Sequence, residues 1–266
     1  MINSMSAYDE RYKMPFKEDE YIFLADADNR RHWMKVSYGM LKIPSLGTID
    51  GSRFKDIDDG SSMVIAGSEY TAFRPGTADL IGSLERGAQI IGVKDAASII
   101  MNCDIGCGDA VLEVGAGSGA LTTALINAVA PGGKVHTVEF REEYALRAQR
   151  NIRRTGLDRY WSYQTGDARN AAVDGVYDAL VMDMPDPWSA LENLSKNLRP
   201  GGRICAYVPN INQLESIVNE LRSKRFFDVR ATELLERAME VHQGGVRPSF
   251  DVLGHTGYII CGRKRA

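Results

Sequence analysis

Apolar residues change their spacing along this chain, and the change divides it. From Tyr21 to about Phe73 they come in short or alternating pieces, at Tyr21 to Leu24, His32 to Val36, Met63 to Ala66 and Tyr70 to Phe73. Gly39, Gly47, Gly51, Gly60 and Gly67 fall between the pieces. A period of two sends successive side chains to opposite faces of an extended chain, and glycines permit turns, so this stretch predicts a small antiparallel sheet or barrel. Residues 1 to 17 are polar, without a sustained apolar period, and read as a flexible lead-in. Arg74-Pro75-Gly76 punctuates the end of the β region. Thr77 stands where it would cap a helix in which Leu80, Ile81 and Leu84 recur at helical spacing.

From Ala110 onward, apolar runs of strand length alternate with stretches of helical period. Strands are expected at Ala110 to Val114, Lys134 to Val138, Trp161 to Thr165, Tyr177 to Asp183 and Arg203 to Val208. Helices are expected at Leu121 to Val129, Glu142 to Arg154, Ala190 to Asn197 and Ile211 to Ser223. This alternation is that of βαβ units around a parallel sheet. Two further extended pieces, Val229 to Leu235 and Gly257 to Cys261, complete the count as a terminal hairpin. The predicted class is α/β: a doubly wound, mostly parallel, seven-stranded Rossmann-like sheet with a small N-terminal β domain. Its divisions are a lead-in over 1–17, the β domain over 18–76 and the large domain over 77–266.

Composition narrows the setting. Hydrophobic residues make up 44% and charged residues 25%, which is ordinary for a globular domain. Cys103, Cys107, Cys205 and Cys261 include no CxxC pair and no adjacent histidine that would complete a zinc set, so they predict reduced thiols, no metal and a cytoplasmic setting. No apolar run of about 18 residues is present and the N-terminus is polar, so neither membrane nor export is expected. The net charge of −3 weighs against a polyanionic partner. Arg147, Arg150, Arg153, Arg154 and Arg159 nevertheless cluster, either as a solvated helix face or as a phosphate-binding strip.

The richest local motif runs from Glu113 to Thr122, Glu-Val-Gly-Ala-Gly-Ser-Gly-Ala-Leu-Thr, at the junction of a strand and a helix. Gly115, Gly117 and Gly119 let the backbone turn tightly and approach a ligand that side chains would exclude. Alone, the string permits a dinucleotide as well as S-adenosylmethionine, or merely a tight turn. Three acids favour S-adenosylmethionine. Glu113 lies inside the first strand, where it would orient the loop or meet an ammonium group. Glu139 ends the second strand, where it would hold two ribose hydroxyls, and Asp167, followed by Ala168, is placed to accept from an adenine amino group. Strand four leaves the sheet through Met182-Asp183-Met184-Pro185-Asp186-Pro187-Trp188. Two prolines stiffen that turn, and Asp183 falls at the carboxyl edge where open α/β sheets bind ligands. An acid there would accept from the exocyclic amine of an adenine and stabilise the cation formed when N1 is alkylated. Asp186 reads as a cap of the next helix, and Trp188 as a base-stacking ring or a core residue.

Taken together these motifs resemble the tRNA (adenine-N1)-methyltransferases that act on the T-loop. The resemblance covers nearly the whole chain after the lead-in. It runs through Tyr70-Thr71-Ala72-Phe73-Arg74-Pro75, Arg86 to Gln89, Ile90 to Ala97 with Lys94-Asp95, the glycine loop, Thr137 to Asn151, Met182 to Trp188 and Gly254-His255-Thr256-Gly257-Tyr258. The loop is common to many methyltransferases, whereas the Arg-Pro boundary, Lys94-Asp95, Asp-Met-Pro-Asp-Pro-Trp and Gly-His-Thr-Gly-Tyr are more selective. The resemblance implies S-adenosylmethionine as cofactor, tRNA as substrate and a homotetramer. It implies cofactor contacts from Gly92, whose segment would close over the site, and from Ser118, Gly119, Ala120, Leu121, Glu139, Asp167 and Ala168. Asp183 would meet the target adenine beside the cofactor, with Trp188, Arg247 and His255 as RNA contacts. Gly92-Val93 departs from the tyrosine-proline often found before Lys-Asp, and Tyr144 stands where some members carry a basic residue. The alternatives are a small-molecule methyltransferase of the precorrin type, a non-catalytic RNA-binding subunit, and an NAD-dependent oxidoreductase.

Overall fold

Strand β1 (Tyr21–Ala25) opens the chain's first sheet, in a computed structural model that describes residues 14–44, 46–85, 90–242 and 244–266. The expected lead-in as far as residue 13, and Arg86 to Gln89, lie outside the described residues. Around β1 are β2 (Arg31–Lys35), β5 (Ser62–Ile65) and β6 (Ser68–Phe73), in the order β2-β1-β6-β5, all antiparallel. A separate hairpin, β3 (Met40–Ile43) with β4 (Gly47–Asp50), is absent from the predicted elements. These strands bury Ile22, Leu24, Ile43, Phe54 and Ile65 in one core. Phe16, inside the expected lead-in, joins that core, edge-on to Phe54. Arg74 explains the Arg-Pro boundary: its guanidinium binds Glu20 and donates to the carbonyls of Met14 and Pro15. Helix α1 (Thr77–Ser83) follows and buries Leu80 and Ile81. Thr77 is its first residue rather than its cap. Asp79 secures the turn instead, accepting from the Gly76 N–H at 2.9 Å. The chain divides into two compact units, one of residues up to Ser83 together with Arg154–Gly156, the other of Leu84–Arg153 and Leu157–Ala266.

The second unit begins with α2 (Val93–Asn102) and then winds a seven-stranded sheet. Its strands are β7 (Ala110–Val114), β8 (Lys134–Glu139), β9 (Trp161–Thr165), β10 (Tyr177–Asp183), β11 (Leu198–Val208), β12 (Phe227–Glu233) and β15 (Tyr258–Arg263). Their order is β12-β15-β11-β10-β7-β8-β9. The five from β11 to β9 are parallel, as the sequence predicts, and β15 runs antiparallel to both its neighbours. The two late extended pieces pair with each other, but β15 inserts between β11 and β12 instead of closing the edge as a simple hairpin. Between them a second unpredicted hairpin projects, β13 (Met239–His242) with β14 (Gly245–Pro248). The helices are α3 (Ala120–Val129), α4 (Glu142–Thr155), α5 (Pro187–Leu194) and α6 (Ile211–Ser223). Helix α5 begins three residues before its predicted start because Pro187 supplies a preset φ at the first turn, where its missing N–H costs nothing.

Strand order reverses at β7, which has β8 on one side and β10 on the other. The loops leaving β7 and β10 therefore diverge and open a crevice at the sheet's carboxyl edge. Gly115 makes their close start possible. Its φ is +88°, and a Cβ there would lie 2.1 Å from the Asp183 carbonyl oxygen. Gly115→Ala should therefore combine left-handed strain with an unavoidable backbone clash, lowering the unfolding free energy by ~2–4 kcal/mol. Urea denaturation checks this, and an unchanged midpoint would show that the loop can move aside at no cost.

Candidate active site

The crevice is a cavity of about 620 Å³, in the range of ~300–1,000 Å³ that holds cofactor-sized molecules. Gly115, Gly117, Glu139, Asp167, Ala168 and Asp183, all expected at the site, line it. Gly92, Ser118, Gly119, Ala120 and Leu121 do not. The last four turn into the start of α3, where Gly119 has φ +84° and packs on Ala148. Gly92 precedes α2 in extended conformation.

Glu139 is buried, and its carboxylate accepts from the N–H groups of Ala116 at 2.8 Å, Gly117 at 3.3 Å and Arg141 at 2.9 Å. The acid that ends β8 thus shapes the glycine loop that follows β7. Asp167 is paired with Arg169, whose Nε lies 2.8 Å from Oδ1, and this hydrogen bond holds the carboxyl below the usual range. Arg169 also reaches Asp186 at 3.5 Å. Asp186 is the N-cap residue of α5, as expected, although its carboxylate takes the Ser189 hydroxyl at 2.8 Å and not a backbone N–H.

Glu113 belongs to the framework instead of the cavity wall. It is fully buried in β7 and accepts from Thr137 Oγ1 at 2.6 Å and Thr122 Oγ1 at 2.8 Å, which joins β7 to β8 and α3. Trp161 Nε1 donates to Thr137 at 2.7 Å, turning the Thr137 proton toward the acid. Burial pushes the Glu113 carboxyl up to about 8, against the threonine hydrogen bonds and helped by the charges of Asp183 and Glu139.

Asp183 ends β10 beside Tyr207 of β11, its register partner. Its side chain is exposed to the cavity while protein surrounds its other sides. That enclosure, followed by the charge of Glu139, pushes its carboxyl up to about 7. Tyr207 is not among the predicted site residues, yet it lines the cavity and links two motifs that lie 162 residues apart in the chain. Its hydroxyl lies 3.4 Å from Asp95 Oδ2, the buried Asp95 binds Lys94 Nζ at 2.8 Å, and Lys94 donates to Thr256 at 2.6 Å. A Cβ at Gly257 would fall 2.3 Å from the Tyr207 ring, so that glycine leaves space for the phenol. Burial pushes the Tyr207 phenol up to about 12, so it remains a proton donor. Arg141 and Tyr144, also in the wall, stack with the guanidinium 3.7 Å from the ring centre, and Phe140 presents a 66% exposed ring beside them. The only sign of Phe140 in the sequence is a bulky apolar residue directly after the β8 acid.

The three residues expected to touch RNA lie off this cavity. Trp188 packs against the sheet's hydrophobic core. Arg247 sits on β14, paired with Glu240 and lying over the Phe250 ring. His255 is clasped between Glu233 Oε1 at 2.6 Å and the Pro209 carbonyl at 2.7 Å, and Glu233 raises its pKa. Among the described residues no group of His, Cys, Asp or Glu is arranged to hold a metal ion, and no helix is long and apolar enough to cross a membrane.

This sheet order, with a glycine loop after the first strand and an acid after the second, is that of the Rossmann-like methyltransferases. Comparison with known proteins is more specific. The family model of the tRNA methyltransferase complex GCD14 subunit matches residues 79–252. A tRNA (adenine(57)-N(1)/adenine(58)-N(1))-methyltransferase from Methanocaldococcus jannaschii is 33% identical over 91% of this chain and 94% of its own. Among solved structures, an S-adenosylmethionine-dependent O-methyltransferase from Thermotoga maritima is 28% identical, with TM-score 0.80 and 95% of each chain covered. The tRNA (m1A58) methyltransferase of Aquifex aeolicus is 26% identical, with TM-score 0.75, over 95% of this chain and all of that one. The chain belongs to the tRNA methyltransferase family defined by the GCD14 model.

The raised Glu113 carboxyl carries a stability consequence. Its folded value lies above its unfolded one, so the native state holds an extra proton between about pH 4.5 and 8, and stability falls as pH rises through that window. In Glu113→Gln the loss is absent. Urea unfolding at pH 5 and pH 8 should show the variant gaining on the parent by a few kcal/mol, on the order of 1.4 per pH unit. Equal differences at both pH values would show that Glu113 is ionised throughout.

Proposed function

We propose that this protein methylates N1 of an adenine in the T-loop of tRNA, using S-adenosylmethionine. The observation that carries the reading is the placement of Asp183 on the cavity wall against the glycine loop, with Tyr207 next to it. The cavity fits the cofactor by its own chemistry. Gly117, with φ +53° and open space where a Cβ would stand, keeps the loop backbone bare at the cavity wall, and the next residue, Ser118, holds a buried hydroxyl with no partner among the described residues. Glu139 is positioned for ribose hydroxyls, and Ala168 with Phe140 offers apolar surface for an adenine ring. When bound, the cofactor supplies a methyl group on a positively charged sulfur.

The chain's residues contribute position and charge. Adenine N1 attacks through an in-plane lone pair, and positive charge develops on the ring and its exocyclic amine. Asp183 accepts from that amine and stabilises the charge as it forms. A sulfonium or a developing cation nearby favours the ionised carboxylate, which offsets the upward push of burial. Tyr207 stays protonated and is held beside Asp183 through Asp95 and Lys94. Gln213 Nε2 donates to the Pro185 carbonyl at 2.6 Å and braces the turn that carries Asp183. A non-catalytic RNA-binding subunit would have no need of this arrangement.

The partner reading rests on two surfaces of the second unit. Helix α4 buries Ala145, Ala148 and Ile152 and turns Arg150 and Arg153 outward, a strip suited to phosphates. The arm around β13 and β14 exposes Val241, Val246, Phe250 and Leu253, an apolar surface that assembly into a cytoplasmic homotetramer would cover.

Asp183→Asn should reduce turnover on unmodified tRNA by ~10²–10³-fold while leaving S-adenosylmethionine affinity within about threefold. Nucleoside mass spectrometry reads the product; absence of 1-methyladenosine in reactions with bound cofactor would defeat the substrate claim. Because the essential carboxyl is raised to about 7, kcat/KM should climb with pH through that value and lose this limb in Asp183→Asn. A flat profile in the parent would remove the assigned role. Light scattering should give four chains for the parent and fewer for Val241→Asp; a monomeric parent would end the assembly reading.

A further inference from the structure

Three of the four cysteines meet behind the sheet, away from the cavity. Cys205 on β11 and Cys261 on β15 are register partners in an antiparallel pair, so their side chains share a face. Such partners have Cα atoms ~4.5–5.5 Å apart, inside the ~4.4–6.8 Å that a disulfide spans. Helix α2 packs on both strands and ends at Cys103, which brings a third buried thiol to the pair. The three thiols are close enough for each to influence the titration of the other two.

The surroundings are cationic and open on one side. Arg230 of β12 is the register partner of Cys261 across the other edge of β15, and Arg203 stands two residues before Cys205 on β11. A small surface cavity of about 60 Å³ reaches Cys261 between Arg203, Arg230 and Arg263, with Asp228 as the one acid in its wall, paired to Arg230 at 3.3 Å. That is room for a molecule the size of a few waters at most. Hydrogen bonds from Cys103 and Cys205, then the charges of Arg230 and Arg203, hold the Cys261 thiol below its ordinary range. Cys205 is pushed up by its hydrogen bonds to Cys103 and Cys261 and by burial. The cluster thus pairs an activated thiol with protonated neighbours.

We propose that Cys261 is a modification site, a thiol that small hydroperoxides oxidise and that then closes a disulfide within its own cluster, with Cys205 as the best-spaced partner. The Cys261 thiolate attacks the peroxide oxygen, the O–O bond breaks, and the departing alkoxide or hydroxide takes from solvent the proton that the thiol released on ionising, giving a sulfenic acid and an alcohol, or water from hydrogen peroxide. The Cys205 thiol then gives up its proton and displaces the sulfenic oxygen as water, forming the S–S bond. Two thiols are oxidised by two electrons and the hydroperoxide is reduced. The arginines make Cys261 the attacking sulfur, and its two neighbours trap the sulfenic acid before further oxidation.

The experiment uses the full chain carrying Cys107→Ser, which removes the exposed fourth thiol. The native protein is treated with hydrogen peroxide, then denatured, alkylated and digested for mass spectrometry. The expected result is loss of two of the three remaining thiols, with the Cys261 peptide cross-linked to that of Cys205 or Cys103. Native Cys261 should react with iodoacetamide at pH 6 at least about tenfold faster than an unperturbed thiol, and Arg230→Ala should slow it several-fold without moving the unfolding midpoint. A purely structural cysteine would show no such dependence. Three intact thiols after peroxide, oxidation that requires prior denaturation, or a Cys261 that proceeds to sulfinic acid without a cross-link would each overturn the proposal.

Discussion

The site depends on how closely two parallel strands can leave the sheet together. Gly115 and Asp183 are the first residues beyond the paired ends of β7 and β10, and the Asp183 carbonyl occupies the place where any other residue at 115 would carry its Cβ. A left-handed φ at Gly115 then turns the loop away over the cavity floor. A methyl group between them would move the acid away from the loop by about an ångström or more. Positioning in a site is sensitive at that scale, so the missing side chain helps set the distance between the acid and the loop.

Around this point the protein places four carboxylates of similar intrinsic acidity in four environments. Glu113, sealed in the sheet and bound by two hydroxyls, is driven toward the protonated form. Glu139, also buried, has its charge met by three backbone N–H groups, so it can form the loop and still face the cavity. Asp167 is held ionised by Arg169. Asp183 meets neither a cation nor a hydrogen-bond donor among the described residues of the wall, and its pKa rises toward neutrality. An acceptor left waiting in this way suits a ligand that brings the missing positive charge.

Much of this is legible in the sequence. The five parallel strands announce themselves through apolar runs bounded by helical periods, and the acids of the cavity wall through their positions at or just after the ends of those runs. What escapes depends on contacts that chain order does not encode. Tyr207 sits in an ordinary apolar strand, and nothing local distinguishes it; its partners Asp95 and Thr256 arrive from a helix before the sheet and a loop after it. Arg169 carries no local signal in the sequence, although it pairs with two acids of the wall. Glu113 has the strand position of a ligand, but its side chain points into the packing between strands and helix. The late strands are visible as extended pieces, yet the insertion of β15 between β11 and β12 is a matter of topology. The exposed β13–β14 arm lacks the buried face that makes a strand pattern readable.

The sequence motifs that look most selective converge on the placement of Asp183 and Tyr207 in the cavity wall. Lys94-Asp95 and the Thr256-Gly257 pair converge behind Tyr207, one supplying charge and hydrogen bonds, the other empty space. The Asp-Met-Pro-Asp-Pro-Trp turn anchors through Trp188 in the core and through Pro185 to Gln213, and its residues Asp183 to Asp186 line the cavity. Each motif braces a residue of the cavity wall. Such braces tolerate little change, because a buried acid such as Asp95 without its lysine would cost several kcal/mol. That cost ties these strings to the placement of one carboxylate and one phenol in the cavity wall, whereas the glycine loop answers to the turn from β7 into α3.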